Sequence, residues 1–217
     1  GVEAYITEDN NQSEKKHRDN YHCVLIALNY AGVKEINKLV SRSYTRTDNH
    51  FYYMPRIFMD ELFATSENII VTSACLGGVL NNGTDEARER MLCFMAKNKE
   101  RCYLEIQHHD IAEQIEYNKY LYNVSKATGI PLIVATDTHA LDKSQMEGRA
   151  VLQKAKDVRF ANEDKMDLTF KTPEELDKCW RKQSSLPMSV VEEAKANSMK
   201  LLDSIEEFEL DHSAKYP

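Results

Sequence analysis

Five short apolar runs, separated by amphipathic stretches, constrain this chain more than any other feature. They are VEAYI at the start, HCVLIAL from His22, NIIVTSA from Asn68, CYLEIQ from Cys102 and PLIVATD from Pro131. Runs this short and this rich in Ile, Val and Tyr read as buried strands rather than helices. Between them, Ile36, Leu39 and Val40 share a helical face in the stretch from Val33 to Tyr44, and Ala87, Met91, Phe94 and Met95 do so after Thr84. Thr84 stands where an N-cap belongs, with Asp85 and Glu86 at the positive end of the helix dipole. A further helix is predicted from about Ile111 to Thr128, stopped by Gly129, which takes a left-handed cap at little cost. Strand and helix in alternation predict an α/β fold built on a parallel sheet or barrel.

After Leu141 the character changes, and three helical patterns replace the strands. TPEEL at Thr172 is a capping box, with Pro173 at the first helical position and Glu175 reaching back. Val190, Ala194, Leu201, Leu202 and Ile205 form a later helical stripe. No internal repeat or low-complexity segment interrupts the chain, and polar linkers are confined to residues 8–20 and the final DHSAKYP.

A length of 217 residues fits one large α/β unit. The net charge of −7 argues against a free-standing nucleic-acid binder, so any DNA contact would come from other segments or chains. The five cysteines are odd in number and widely spaced with no CxxC pair, which fits a reducing cytoplasm rather than a disulfide framework. No apolar run approaches the roughly 18 residues of a membrane span, and no signal-peptide pattern opens the chain. GVEAYI begins inside a strand pattern, as though earlier elements had been cut away.

Where parallel strands end, loops gather side chains into sites. NIIVTSA leads into Cys75 and then LGG, CYLEIQ into His108 and His109, and PLIVAT into Asp137 and His139; Glu3 lies in the first run and His22 opens the second. Asp137 and His139 are two apart, so an extended backbone would turn both to one side, a spacing suited to a metal or a proton-transfer site. The same pair also reads as a loop start, with Asp137 as a turn or cap residue and His139 solvated. Taken alone, Cys75 reads first as a small buried hydrophobe, His22 first as a hydrogen-bonded boundary residue, and His108 and His109 as exposed loop residues, one of them a reserve ligand. A mixture of thiolate, imidazole and carboxylate suits Zn, Mn or Fe better than calcium. The planar fork of Arg56 in FYYMPRI suits a phosphate, though a salt bridge that fixes its loop is the readier reading.

The blocks GVEAYI, HCVLIALNYAGVKEINKLVS, FYYMPRI, NIIVTSACLGG, YLEIQHH with Gln114 and Asn118 beyond it, and IPLIVATDTHAL stand in the order found in one family. The chain resembles the polymerase and histidinol phosphatase (PHP) domain of bacterial or phage DNA polymerase III alpha subunits. The match continues through AVLQKAKDV and LTFKTPEEL to KYP, nearly the whole chain. The resemblance implies a distorted seven-stranded (β/α)7 PHP barrel, truncated at the N-terminus: residues 1–143 as the barrel portion, and residues 144–217 as a helical C-terminal portion leading toward the polymerase palm. It implies Glu3 as a bridging carboxylate, and His22, Cys75, Asp137 and His139 as further ligands of divalent ions, up to three in a complete site.

The family's first motifs, a His-x-His pair with a following aspartate and an Asp-His on the next strand, have no counterpart here. A fragment of a longer protein is expected, inactive alone, with strand edges left open. The implied activity of the parent is DNA polymerisation together with metal-dependent phosphoester hydrolysis, as a 3′-to-5′ exonuclease or a pyrophosphatase. The implied partners are the rest of the polymerase chain, primer-template DNA and replisome subunits, in the cytoplasm and with no membrane. Two alternatives remain open: a PHP module used only as scaffold or docking surface, and a free-standing histidinol-phosphatase-like enzyme, which FYYMPRI, SACLGG and KYP disfavour.

Overall fold

The computed structural model describes residues 1–8, 20–44, 55–157, 165–210 and 213. The linker predicted over 8–20, the first residues of FYYMPRI and the KYP ending therefore fall wholly or largely outside the described residues.

All five predicted strands form: β1 (Val2–Thr7), β2 (Tyr21–Ala27), β4 (Ile69–Thr72), β5 (Cys102–Gln107) and β6 (Leu132–Ala135). A two-residue strand, β3 (Ile57–Phe58), is too short to show a period in the sequence. The order in the sheet is β3-β1-β2-β4-β5-β6. The expected parallel arrangement holds for β4, β5 and β6 and for β1 beside β3, but β2 runs antiparallel to both of its neighbours. Apolar periodicity does not encode strand direction, so the sequence carried no sign of this reversal.

β2 buries alternate residues, Tyr21, Cys23, Leu25 and Ala27, whereas all four residues of β4 are buried. Ile69, Ile70 and Val71 supply the apolar run that a strand enclosed on both faces needs, and Thr72 ends it with a buried hydroxyl. The helices are α1 (Tyr30–Tyr44), α2 (Met59–Phe63), α3 (Val79–Asn82), α4 (Asp85–Lys97), α5 (Ala112–Thr128), α6 (Lys143–Ala155), α7 (Pro173–Gln183) and α8 (Met188–Asp203). The Thr84 hydroxyl caps α4 by accepting from Ala87 N, Gly129 ends α5 at φ 76°, and Thr172 and Glu175 form the reciprocal capping box of α7.

The last two helices join the same core as the strands: Trp180, Val191 and Ala194 are buried in one cluster with Leu25, Leu104 and Leu121. Beside β6, the last strand of the order, Ser198 Oγ accepts from Val134 N at 3.0 Å and Asn197 Nδ2 donates to Leu132 O at 3.1 Å. α8 thus supplies the hydrogen bonds that an open edge would lack. No helix among the described residues is long and apolar enough to cross a membrane.

Candidate metal centre

The register of β1 against β2 brings the first two site residues together. Tyr5 pairs with His22 and Glu3 with Val24, so Glu3 and His22 are diagonal neighbours on one face, within reach of long side chains. Glu3 Oε1 lies 2.6 Å from His22 Nδ1, and the Tyr5 ring stands edge-on to the imidazole with centroids 5.3 Å apart.

Cys75 enters from the loop after β4. Ala74 holds φ at 53°, a left-handed conformation that costs an L-residue about 1–2 kcal/mol. Cys75 Sγ comes to 3.4 Å from the same His22 Nδ1, and Gly77 N donates to the sulfur at 3.4 Å. His22 N in turn donates to Gly77 O at 3.0 Å. Closeness explains both glycines of LGG: a Cβ on Gly77 would stand 3.1 Å from His22 Cγ, and one on Gly78 would collide with the Ser73 carbonyl.

Glu3, His22 and Cys75 each place a donor atom within 4.8 Å of the other two. A nucleophilic triad uses both imidazole nitrogens, one to take the nucleophile's proton and the other to donate to the carboxylate that orients the ring. Here the thiol and the carboxylate address one nitrogen, so the set converges on a point. Hydrogen bonds that the protonated ring donates to Cys75 and then to Glu3 push His22 up to about 10 against the opposing effect of burial. The hydrogen bond to His22 holds Glu3 below the usual carboxylate range. Acidic and imidazole donors converging this way suit a borderline cation, which takes the place of the shared proton.

Asp137 and His139 follow β6, though not in the extended form expected. Asp137 has φ 49°, so a turn, not strand alternation, aims the pair. His139 Nδ1 is 2.8 Å from the Asp137 carbonyl oxygen. That oxygen only accepts, so Nδ1 carries the hydrogen and Nε2 keeps the lone pair, as in a metal-ligating histidine. All five, Glu3, His22, Cys75, Asp137 and His139, line one cavity of about 500 Å³.

Glu105 on β5 is buried, and Thr72 donates its hydroxyl hydrogen to the carboxyl group. Burial pushes Glu105 up to about 7; the Thr72 hydrogen bond opposes this, and the charges of Asp137 and Glu3 add to it. His108 and His109 are not exposed loop residues: they are 4% and 2% exposed, with ring centroids 4.6 Å apart, and they do not line the cavity. Arg56, 3% exposed, does not line it either.

The PHP domain profile matches residues 1–109, half of the chain. The chain belongs to the PHP domain family. Among curated relatives, it is similar to the DNA polymerase III subunit alpha of Borreliella burgdorferi, 34% identical over 160 residues, covering 70% of this chain and 14% of the relative. The Helicobacter pylori subunit alpha is 33% identical over 154 residues, 64% of this chain and 12% of the relative. The DNA polymerase III PolC-type of Thermotoga maritima is 33% identical over 144 residues, 61% of this chain and 10% of the relative. The chain thus spans a small fraction of the length of the relatives it matches.

The PHP cavity is lined by further polar residues that sequence reasoning missed: Tyr5, Asn81, Asn82, Gln107, Glu113 and Arg149. Gln107 ends the CYLEIQ run, so the rule of looking at strand ends could have found it. Arg149 lies within α6, where no local pattern distinguished it from a solvated helix residue.

Proposed function

We propose that the chain is the PHP portion of a replicative DNA polymerase III alpha subunit, and that its cavity is a divalent-metal phosphoesterase site. The observation that carries this reading is the convergence of carboxylate, imidazole and thiol on one point, within a cavity that Asp137 and His139 also line. Glu3, His22 and Cys75 would hold one ion, and Asp137 and His139 would contribute to a further one, with Zn, Mn or Fe as the fitting elements. Bound metal would supply an activated water and hold phosphate oxygens.

The protein's own groups would orient the substrate. Arg149 lines the cavity with a planar fork suited to a phosphate. In this reading the phosphate contact expected of Arg56 falls to Arg149. Asn81 and Asn82 line the same cavity, and Asn82 offers it an amide donor. Residues 1–143 carry the proposed metal ligands, and residues 144–217, which contribute Arg149, form the helical portion that would lead toward the palm of a distorted (β/α)7 domain. The cytoplasm, the rest of the polymerase, primer-template DNA and replisome subunits are the setting we assign.

The test is hydrolysis of a 3′-terminal phosphodiester and of pyrophosphate by the intact parent protein in Mn or Zn. Activity that disappears in Asp137→Ala supports the reading. Metal-independent activity, or activity that survives this substitution, overturns the site; none in the wild type, despite bound metal, favours the scaffold alternative.

A further inference from the structure

A carboxyl group in the core between Leu104 and Ile106 needs a reason, because an apolar side chain would fill the same space without a desolvation cost. Glu105 is 7% exposed and does not line the cavity, so it is outside the proposed ligand set. Its side chain and its backbone N–H both bond to the segment that delivers Cys75, while β6 pairs with it on the other side. Thr72 Oγ1 donates to Glu105 Oε1, and the same Thr72 oxygen accepts from Ala74 N at 3.3 Å. Glu105 N donates to Ser73 Oγ at 2.9 Å, and Ser73 N donates to Tyr103 O at 3.0 Å. Thr72, Ser73 and Ala74 are all at most 2% exposed. A hydroxyl whose hydrogen is committed to a carboxyl presents its lone pairs in a fixed direction, here toward the N–H of the one residue in this segment with positive φ.

We propose that Glu105 and Thr72 are positioning residues for Cys75: the Glu105 carboxyl anchors the Thr72 hydroxyl, which holds Ala74 in the left-handed turn that aims the thiol at His22 and Glu3. The inference rests on the metal reading given above. It adds that the thiol's place in the centre is set from β5, one strand away, and not by the CLGG loop alone.

The test is titration of the intact protein with Co2+, following the near-ultraviolet charge-transfer absorption that reports a thiolate on the metal. Glu105→Gln and Thr72→Ser keep the acceptor and the hydroxyl, and retain the band. Glu105→Leu and Thr72→Val lose most of it, and their Co2+ affinity falls about 10-fold to 100-fold, the usual effect of removing a group that orients a ligand. Ala74→Gly added to Thr72→Val restores part of the band, because glycine takes positive φ without help. A full band in folded Thr72→Val and Glu105→Leu overturns the inference and leaves the metal reading intact. So does failure of both to fold, since the network would then serve the core rather than the ligand. Absence of any thiolate band in the Co2+-loaded wild type removes Cys75 from the centre, and this inference with it.

Discussion

The two glycines after Cys75 separate site chemistry from backbone packing at the level of single atoms. A methyl group on Gly77 would press on the His22 ring at 3.1 Å, a contact the imidazole can relieve by tilting. Gly77→Ala is therefore expected to keep the fold and weaken metal binding by about tenfold, as measured by calorimetric titration; unchanged affinity would show that the ring is not held by this contact. Gly78→Ala meets the backbone carbonyl of Ser73, which cannot move aside. It is expected to cost about 2–4 kcal/mol in urea denaturation, the range for a forced backbone shift. Of this arrangement, the sequence showed the Asp-x-His spacing and the cysteine at a strand end. The positive φ at Ala74 was not legible, because alanine carries no turn signal and only the tertiary contacts demand it, whereas at Asp137 a turn stood as one of two open readings.

Between elements, α5 is tied to the end of β5 by one buried amide. Asn118 Oδ1 accepts from Gln107 N at 3.2 Å and from Gln114 Nε2 at 2.9 Å, while Nδ2 donates to Gln107 O at 2.8 Å and to Gln183 Oε1 at 3.0 Å. Asn118→Leu would leave several buried partners unpaired, each costing about 1–3 kcal/mol. A destabilisation of roughly 3 kcal/mol or more in urea denaturation is expected, and a loss under half a kcal/mol would show that the amide network is dispensable. The helices bearing long patterns and caps, α4, α5 and α7, were legible because Thr84, Gly129 and the Thr172–Glu175 box act locally. The short elements β3, α2 and α3 were not, since two to five residues display no period and exist through tertiary packing. The reversed direction of β2 is a property of connections and pairing, not of its own residues.

Over the whole molecule, acid sensitivity should trace to the His108–His109 pair. No ring nitrogen of either residue has a hydrogen-bond partner among the described residues, and burial, with Lys171 nearby, lowers both to about 4 from 6.5. Between those values the unfolded chain binds more protons than the folded one, so stability rises with pH across that window. This contribution is complete above about 6.5 and lost as pH falls toward 4, amounting to roughly 3 kcal/mol per ring at most. Melting temperature from pH 7 to 4.5 should therefore fall less steeply in the double variant His108→Phe, His109→Phe than in wild type; identical slopes would assign the sensitivity elsewhere. The central claim, that one cavity gathers a metal centre from β1, β2 and the loops after β4 and β6, is tested most directly by melting the intact protein, stripped of metal, with and without Zn or Mn. A ligand bound only by the folded state at a hundredfold excess over its Kd adds about 2.7 kcal/mol. Wild type and Cys93→Ala, whose thiol is exposed on α4 and outside the cavity lining, should show that stabilisation. His22→Ala and His139→Ala should lose most of it, whereas equal metal-dependent shifts in all four proteins would contradict the site.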